Sequence, residues 1–206
     1  MARDSYHHGN LKSALVDAVL ALIREKGPNG FSFAEAARRA GVSPAAPYRH
    51  FKDRDELIVE TARRGFELFA ARLEAAWDDG RPSALSSFER VGRAYLGFAK
   101  AEPAYFAAMF EAGVSPDADP QLRVASDRAF RALFRACELL AKQMPEAKRP
   151  PVLMMAYHLW ALSHGVTALF GRGDEALRRA PIPAEELLEA GAAIYLRGLG
   201  FLPEDP

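Results

Sequence analysis

The chain is short of several things, and each shortage closes off a class of function. It has a single cysteine, Cys137, in 206 residues. No internal disulfide can form, and a reducing compartment, the cytoplasm, is expected. No uninterrupted apolar run approaches the roughly 20 residues that span a bilayer. The opening residues, Met1 to His8, lack the apolar core of a secretory signal, so no membrane partner is expected. Charge of one sign is also lacking, because 27 Lys and Arg balance 27 Asp and Glu. Sustained period-2 runs rich in β-branched residues are missing, which argues against a sheet. There is no glycine-rich phosphate loop, no pair of inward carboxylates and no nucleophile beside a base. Neither an enzyme nor a cofactor is expected. His158 and His164 do not make a metal site, since six residues put them about 240° apart around a helix.

What is present is apolar and helix-forming. Half of the residues are hydrophobic, which excludes a disordered chain. Ala, Leu, Arg and Glu dominate, and apolar residues recur at helical spacing. Charge is unevenly spread: residues 1–64 hold 11 Lys and Arg against 8 Asp and Glu, and the rest hold 16 against 19. A weakly basic head on a weakly acidic body is compatible with a nucleic-acid partner at one end.

Punctuation sets the helices. A first helix is expected from Asn10, its N-cap, to Gly27-Pro28, with Leu11, Leu15, Ala18, Val19 and Leu22 on one stripe. Ser32 and Glu35 form a capping-box pattern opening a second helix that runs to about Ala40. Gly41-Val42 makes a turn, and Ser43-Pro44 opens a third helix of about two turns ending near Phe51. Asp53 to Glu56 repeats the capping pattern and starts a long fourth helix reaching Trp77. Five more are expected near 83–101, 103–113, 120–143, 151–171 and 184–200.

The segment from Phe31 to Leu57 then reads as a helix-turn-helix, two short helices around a glycine turn. Its residues Phe31-Ser32, Ala36-Ala37, Ala40-Gly41-Val42-Ser43, Tyr48-Arg49-His50-Phe51-Lys52 and Leu57 resemble the DNA-binding domain of the TetR family of bacterial regulators. Trp160-Ala161-Leu162-Ser163-His164-Gly165 is similar to the signature of its WHG-type C-terminal domain, and Tyr6-His7-His8-Gly9-Asn10-Leu11 and Ala45-Ala46-Pro47-Tyr48 look like the same branch.

The resemblance implies an all-α protein. A three-helix helix-turn-helix head, residues 1–65, would be joined by the long fourth helix to a ligand-binding and dimerisation bundle, residues 66–206. It implies a ligand-responsive transcriptional regulator, a repressor in most of the family, that binds a two-fold operator in double-stranded DNA as a homodimer. Ser43 would cap the recognition helix. Pro44, Ala45 and Ala46 would face the bases, able to touch a thymine methyl but not to make bidentate bonds. Tyr48 and His50 would reach phosphates or base edges, Lys52 a phosphate, and Arg49 a phosphate or a guanine. Pro47, where a leucine-like residue is commoner, should be tolerated in the first turn. His7 and His8 suit a frayed terminus better than a minor-groove arm.

The effector implied is a largely apolar small molecule, with Tyr95, Phe98, Tyr105, Phe106, Met109, Phe110, Phe134, Met155, Trp160 and His164 as candidate pocket residues. Each is also ordinary core material. Trp160 and His164 share a helix face, which suits a packing hydrogen bond or a pocket wall. Leu153, Leu162, Leu169, Leu187, Leu188, Ile194 and Leu196 are candidates for a dimer face on the last two helices. Two other readings compete: an enzyme with a purely structural helix-turn-helix, and a constitutive DNA-binding protein that ignores ligands.

Overall fold

A computed structural model describes the backbone of residues 8–171 and 181–202, with side chains from Leu11 onward. The side chains of Tyr6, His7 and His8 lie outside the described residues. Among those described there are eight α-helices and no strand: α1 (His8–Lys26), α2 (Phe33–Arg39), α3 (Arg54–Trp77), α4 (Ala84–Ala101), α5 (Pro103–Phe110), α6 (Pro120–Lys142), α7 (Val152–Phe170) and α8 (Ala184–Gly198). α1 begins two residues before Asn10, which is therefore inside the helix and does not cap it.

The helices belong to two compact units, one grouping Met1–Phe66 with Pro103–Ala125 and the other Glu67–Glu102 with Ser126–Pro206. In the first unit α1 packs on α2 and α5. Leu15, Val16, Val19 and Ile23 of α1 meet Phe31, Ala36, Phe51, Leu57 and Ile58 in one buried cluster. Gly65 matters here for closeness. A Cβ on it would lie 2.8 Å from Met109 Sδ and 3.1 Å from the Tyr105 ring, so a larger residue there would have to displace the Met109 side chain. In the second unit α4 packs on α7 and α8. Phe69 sits edge-on to Tyr95 and against Phe98, with ring centroids 5.0 and 4.8 Å apart, and both Phe rings are fully buried.

α7 departs from the sequence reading. Its 19 residues are long and apolar enough, by length and composition alone, to cross a membrane, yet only a third of them are buried. Leu153, Met154 and Tyr157 are each more than half exposed, and Leu169 is 39% exposed. On α8, Ile194 is 68% exposed. Of the seven residues assigned to a dimer face, Leu188 and Leu196 are buried within the unit, and Leu162 and Leu187 pack against its core. Leu153, Leu169 and Ile194 remain outside, joined by Met154 and Tyr157, which the sequence reading overlooked.

Candidate nucleic-acid interface

Local hydrogen bonds position the turn between α2 and α3. Ser32 caps α2 by accepting from the Glu35 N–H, while the Glu35 carboxylate accepts from the Ser32 N–H at 2.9 Å, so the capping box is complete. The Lys26 ammonium 2.6 Å away, with the Ser32 bonds, holds the Glu35 carboxyl down to about 2. At the other end of α2 the Val42 N–H donates to the Ala37 carbonyl and the Gly41 N–H to that of Arg38, both at 3.1 Å. That pair is a Schellman motif, which needs a left-handed residue at Gly41, where φ is +73°.

The third helix differs from the sequence reading. Ser43 to Phe51 is not an α-helix of two turns; its helical part is a single 3₁₀ turn, Pro47–Arg49. Pro47 has no N–H to return to Ser43, and its ring opposes the carbonyl one turn back. The Ser43 carbonyl instead accepts from the Ala46 N–H at 3.0 Å. Only past the proline does the chain tighten, with the Phe51 N–H donating to the Pro47 carbonyl at 3.0 Å. The buried Pro47 is thus a helix breaker here rather than a tolerated first-turn residue, and there is no α-helix for Ser43 to cap.

Around this turn, Ser43, Pro44, Ala45, Arg49 and Lys52 are exposed, Ala46 and His50 are half-buried, and Tyr48 is 63% exposed. The Tyr48 ring stands edge-on to Phe33 at 5.0 Å, which holds the ring while most of it stays exposed. The start of α3 modifies the expected box. Asp53 accepts from the Glu56 N–H at 2.9 Å, but the Glu56 carboxylate takes the Lys52 N–H and not that of Asp53. The backbone of Lys52 is thereby anchored while its side chain stays exposed.

The cations of the unit divide into two sets. Arg39 pairs with Glu25 at 2.7 Å, and Arg63 and Arg64 both bind Glu60. Burial would raise the Glu60 carboxyl, and these two arginines outweigh it and lower it. Arg54 donates to the carbonyls of Phe31 and Pro28 and lies 4.7 Å from the Phe31 ring, so it staples the α1–α2 loop. No spacing rule could have found that role, because the contacts form only on folding. Arg38 is 80% exposed and only loosely faces Glu35, at 3.9 Å. Arg49 and Lys52 make no ion pair among the described residues.

The ten candidate pocket residues are divided between the two units. Tyr105, Phe106, Met109 and Phe110 are on α5 in the first unit, where Phe106 and Phe110 pack at 4.9 Å. Phe98 and Met155 are fully buried in the second unit. Tyr95 shares a hydrogen bond with His164 Nδ1 at 3.0 Å, and its ring stands edge-on to Trp160. Burial pushes the Tyr95 phenol well above its ordinary range, so it stays protonated and able to donate. Phe130, adjacent to Phe134 on α6, packs on Trp160 at 5.1 Å. A cavity of about 240 Å³ lies elsewhere in this unit, between α4, α6, α7 and α8, and none of the ten lines it. Tyr95 and Trp160 instead line a void of about 10 Å³ that shares Gly92, Leu133 and Ser163 with it. Cys137 is fully buried and its thiol pushed up to about 12, which leaves it an unreactive core residue.

A helix-turn-helix with exposed cations on its outer edge, among described residues that form helices and no strand, is the surface expected of a DNA-binding regulator. The family model for bacterial regulatory proteins of the tetR family matches residues 15–61, and that for the tetracyclin repressor-like C-terminal domain matches residues 88–195, just over half the chain. The chain belongs to this family: it is a DNA-binding transcriptional regulator and not an enzyme. It is similar to an uncharacterised HTH-type transcriptional regulator of Haemophilus influenzae, 33% identical over 35% of this chain and 39% of that one. It is also similar to the uncharacterised HTH-type regulator YobS of Bacillus subtilis, 27% identical over 88% of this chain and 87% of that one. A solved structure of a Rhodococcus protein of unknown function superposes with a TM-score of 0.75 at 29% identity, covering 95% of this chain and 98% of that one.

Proposed function

We propose that the chain works in the cytoplasm as a homodimeric repressor that binds a two-fold operator and leaves it when a small molecule occupies the second unit. In this reading residues 1–65 bind DNA and residues 66–206 dimerise and sense. The observation that carries it is the division of cations in the head. Arg39, Arg54, Arg63 and Arg64 are committed to the protein, whereas Arg49 and Lys52 stand exposed, with no ion pair among the described residues, on the turn beside Tyr48 and His50. Unneutralised cations on an exposed edge are what phosphates recruit. Ser43, Pro44, Ala45 and Ala46 present a small surface with no long donor, so Arg49 and DNA shape supply most of the discrimination.

The exposed apolar face of α7 and α8 supports the dimer. Leu153, Met154, Tyr157 and Ile194 are too apolar to be left in water without cost, and a two-fold copy of the same face buries them. Sensing is supported by α3, a single helix with residues in both units. A ligand acts only through its differential affinity for two arrangements, and coupling of about 1–3 kcal/mol weakens operator binding about 5- to 150-fold.

Selection of bound DNA from a random pool tests the core of this reading. The expected product is a two-fold sequence with half-sites about one helical turn, or a multiple, apart. A single asymmetric site would count against it. A salt titration then separates the roles. Lys52→Ala lowers the magnitude of the salt slope by about one on operator and scrambled DNA alike. Arg49→Ala relaxes sequence preference by about 1–3 kcal/mol. An unchanged slope for the Lys52 variant would refute the docking.

A further inference from the structure

The 240 Å³ cavity of the second unit has a sorted wall. Its buried lining is apolar, with Leu96, Leu133, Leu159, Leu188 and Leu196 all at most 6% exposed. Among the described residues its exposed lining is charged and unbalanced: three carboxylates, Glu89, Glu185 and Glu189, against one guanidinium, Arg93. Arg93 is already engaged, 2.9 Å from Glu189 across α4 and α8 and 3.8 Å from Glu89. Deep in the wall sits one polar side chain, Ser163, 7% exposed. Its hydroxyl has no hydrogen-bond partner among the described residues and faces both this cavity and the small void beside Tyr95 and Trp160. A hydroxyl that lines an open space and makes no bond to a described residue is available to a ligand or a water.

Building on the sensing role proposed above, we infer that this cavity takes a compact organic cation: an apolar body against the leucines, an ammonium at the carboxylate rim, and a hydrogen-bonding oxygen reaching Ser163. The rim decides the sign of the charge. An anion would meet three carboxylates and would have to strip Arg93 from Glu189, while an ammonium finds Glu185 beside it. The volume limits the size, since 240 Å³ equals the share of about eight waters and holds about a dozen bonded heavy atoms. The sequence reading expected a largely apolar effector because its candidate residues carry few charges, and these rim charges lie on exposed turns of α4 and α8.

The test is calorimetry on the full-length protein with three probes sharing one body: 4-phenylbutylamine, 4-phenylbutanol and 4-phenylbutyrate. The amine is expected to bind about tenfold tighter than the other two at low salt, a margin that shrinks as salt rises. Glu185→Gln with Glu189→Gln brings the three within about threefold. Arg93→Gln moves the other way and tightens the amine about threefold, which a merely structural role for Arg93 would not do. A phenolic hydroxyl added at the far end of the amine tightens it, and Ser163→Ala cancels that gain. A Cβ on Gly92 meets only Leu188, at 3.6 Å, so Gly92→Leu fills the space without a backbone clash and abolishes binding of all probes. Leu133→Phe is a second filling variant, and a cooperative melt verifies the fold of each. Equal or tighter binding of the alcohol or carboxylate, binding by none, or binding that survives both filling variants would each overturn the inference. Operator affinity measured with the same probes is a separate readout. An amine that fits this pattern yet leaves DNA binding unchanged refutes the sensing role and not the site, whereas release of DNA by the carboxylate alone refutes the site chemistry and not the sensing.

Discussion

The two units hold their shape by different means. In the first, the functional turn is fixed by bonds that can be named one at a time: the Ser32–Glu35 box, the Schellman pair at Gly41, and the Arg54 staple on Phe31 and Pro28. In the second, long helices meet through rings and leucines, and the packing leaves apolar surface outside and open space inside. Directional bonds specify one geometry, which suits a surface that must match a groove. Apolar packing has no direction and tolerates rearrangement, which suits the dimerising and sensing role proposed for this unit.

The largest effect that sharpens this contrast belongs to the ring cluster of the second unit. Phe98→Ala removes a fully buried ring against Phe69 and should cost about 3–5 kcal/mol in urea denaturation. A loss below about 1 kcal/mol would mean that packing does not hold this unit. Next comes the outer apolar face. Tyr157→Asp with Ile194→Asp places charge on residues 57% and 68% exposed in the single chain. Sedimentation should show a monomer with its fold intact, and operator affinity should drop roughly 100-fold as the second half-site is lost. A stable dimer in this variant would move the interface elsewhere.

In the first unit the expected effects are smaller and local. An added Cβ at Gly41 meets nothing within 4 Å, so Gly41→Ala pays only for the left-handed backbone. The expected loss is about 1 kcal/mol in thermal or urea unfolding. A loss several times larger would show that the turn is pinned by contacts as well as by conformation. Smallest is the acid limb of stability. The Glu35 carboxyl is lowered from 4.5 to about 2 by its bonds to Lys26 and Ser32. A depressed folded value stabilises above pH 4.5, and the contribution is lost as pH falls through that window toward 2. Unfolding of wild type and Glu35→Gln followed from pH 6 to pH 2 should converge at the acid end, and curves that stay parallel would remove Glu35 from the account.

Much of the first unit was legible because its determinants lie close together in the chain. Ser32 and Glu35 are three apart, Gly41 follows its helix directly, and Lys52 adjoins the next cap. What escaped there was the effect of Pro47. Two of its consequences, the missing N–H and the fixed φ, were known from its identity, but their balance against helix closure depended on where Phe51 had to be buried. Arg54 escaped for the converse reason, since its partners lie 23 and 26 residues away.

In the second unit, periodicity alone determined that α4, α6, α7 and α8 exist and where they end, because helical spacing and proline or glycine stops are read along one strand of chain. It did not determine which apolar face turns inward. Leu188 and Leu196 look no different in sequence from Ile194, yet two are core and one is surface. The cavity is a harder case still, for it is made of what four separate helices fail to fill, and a void has no residue of its own to announce it. By itself the sequence determined the family and the long helices. Tertiary packing decided the pocket, the charges at its rim and the outward apolar face, because each is a property of surfaces that meet only once the chain has folded.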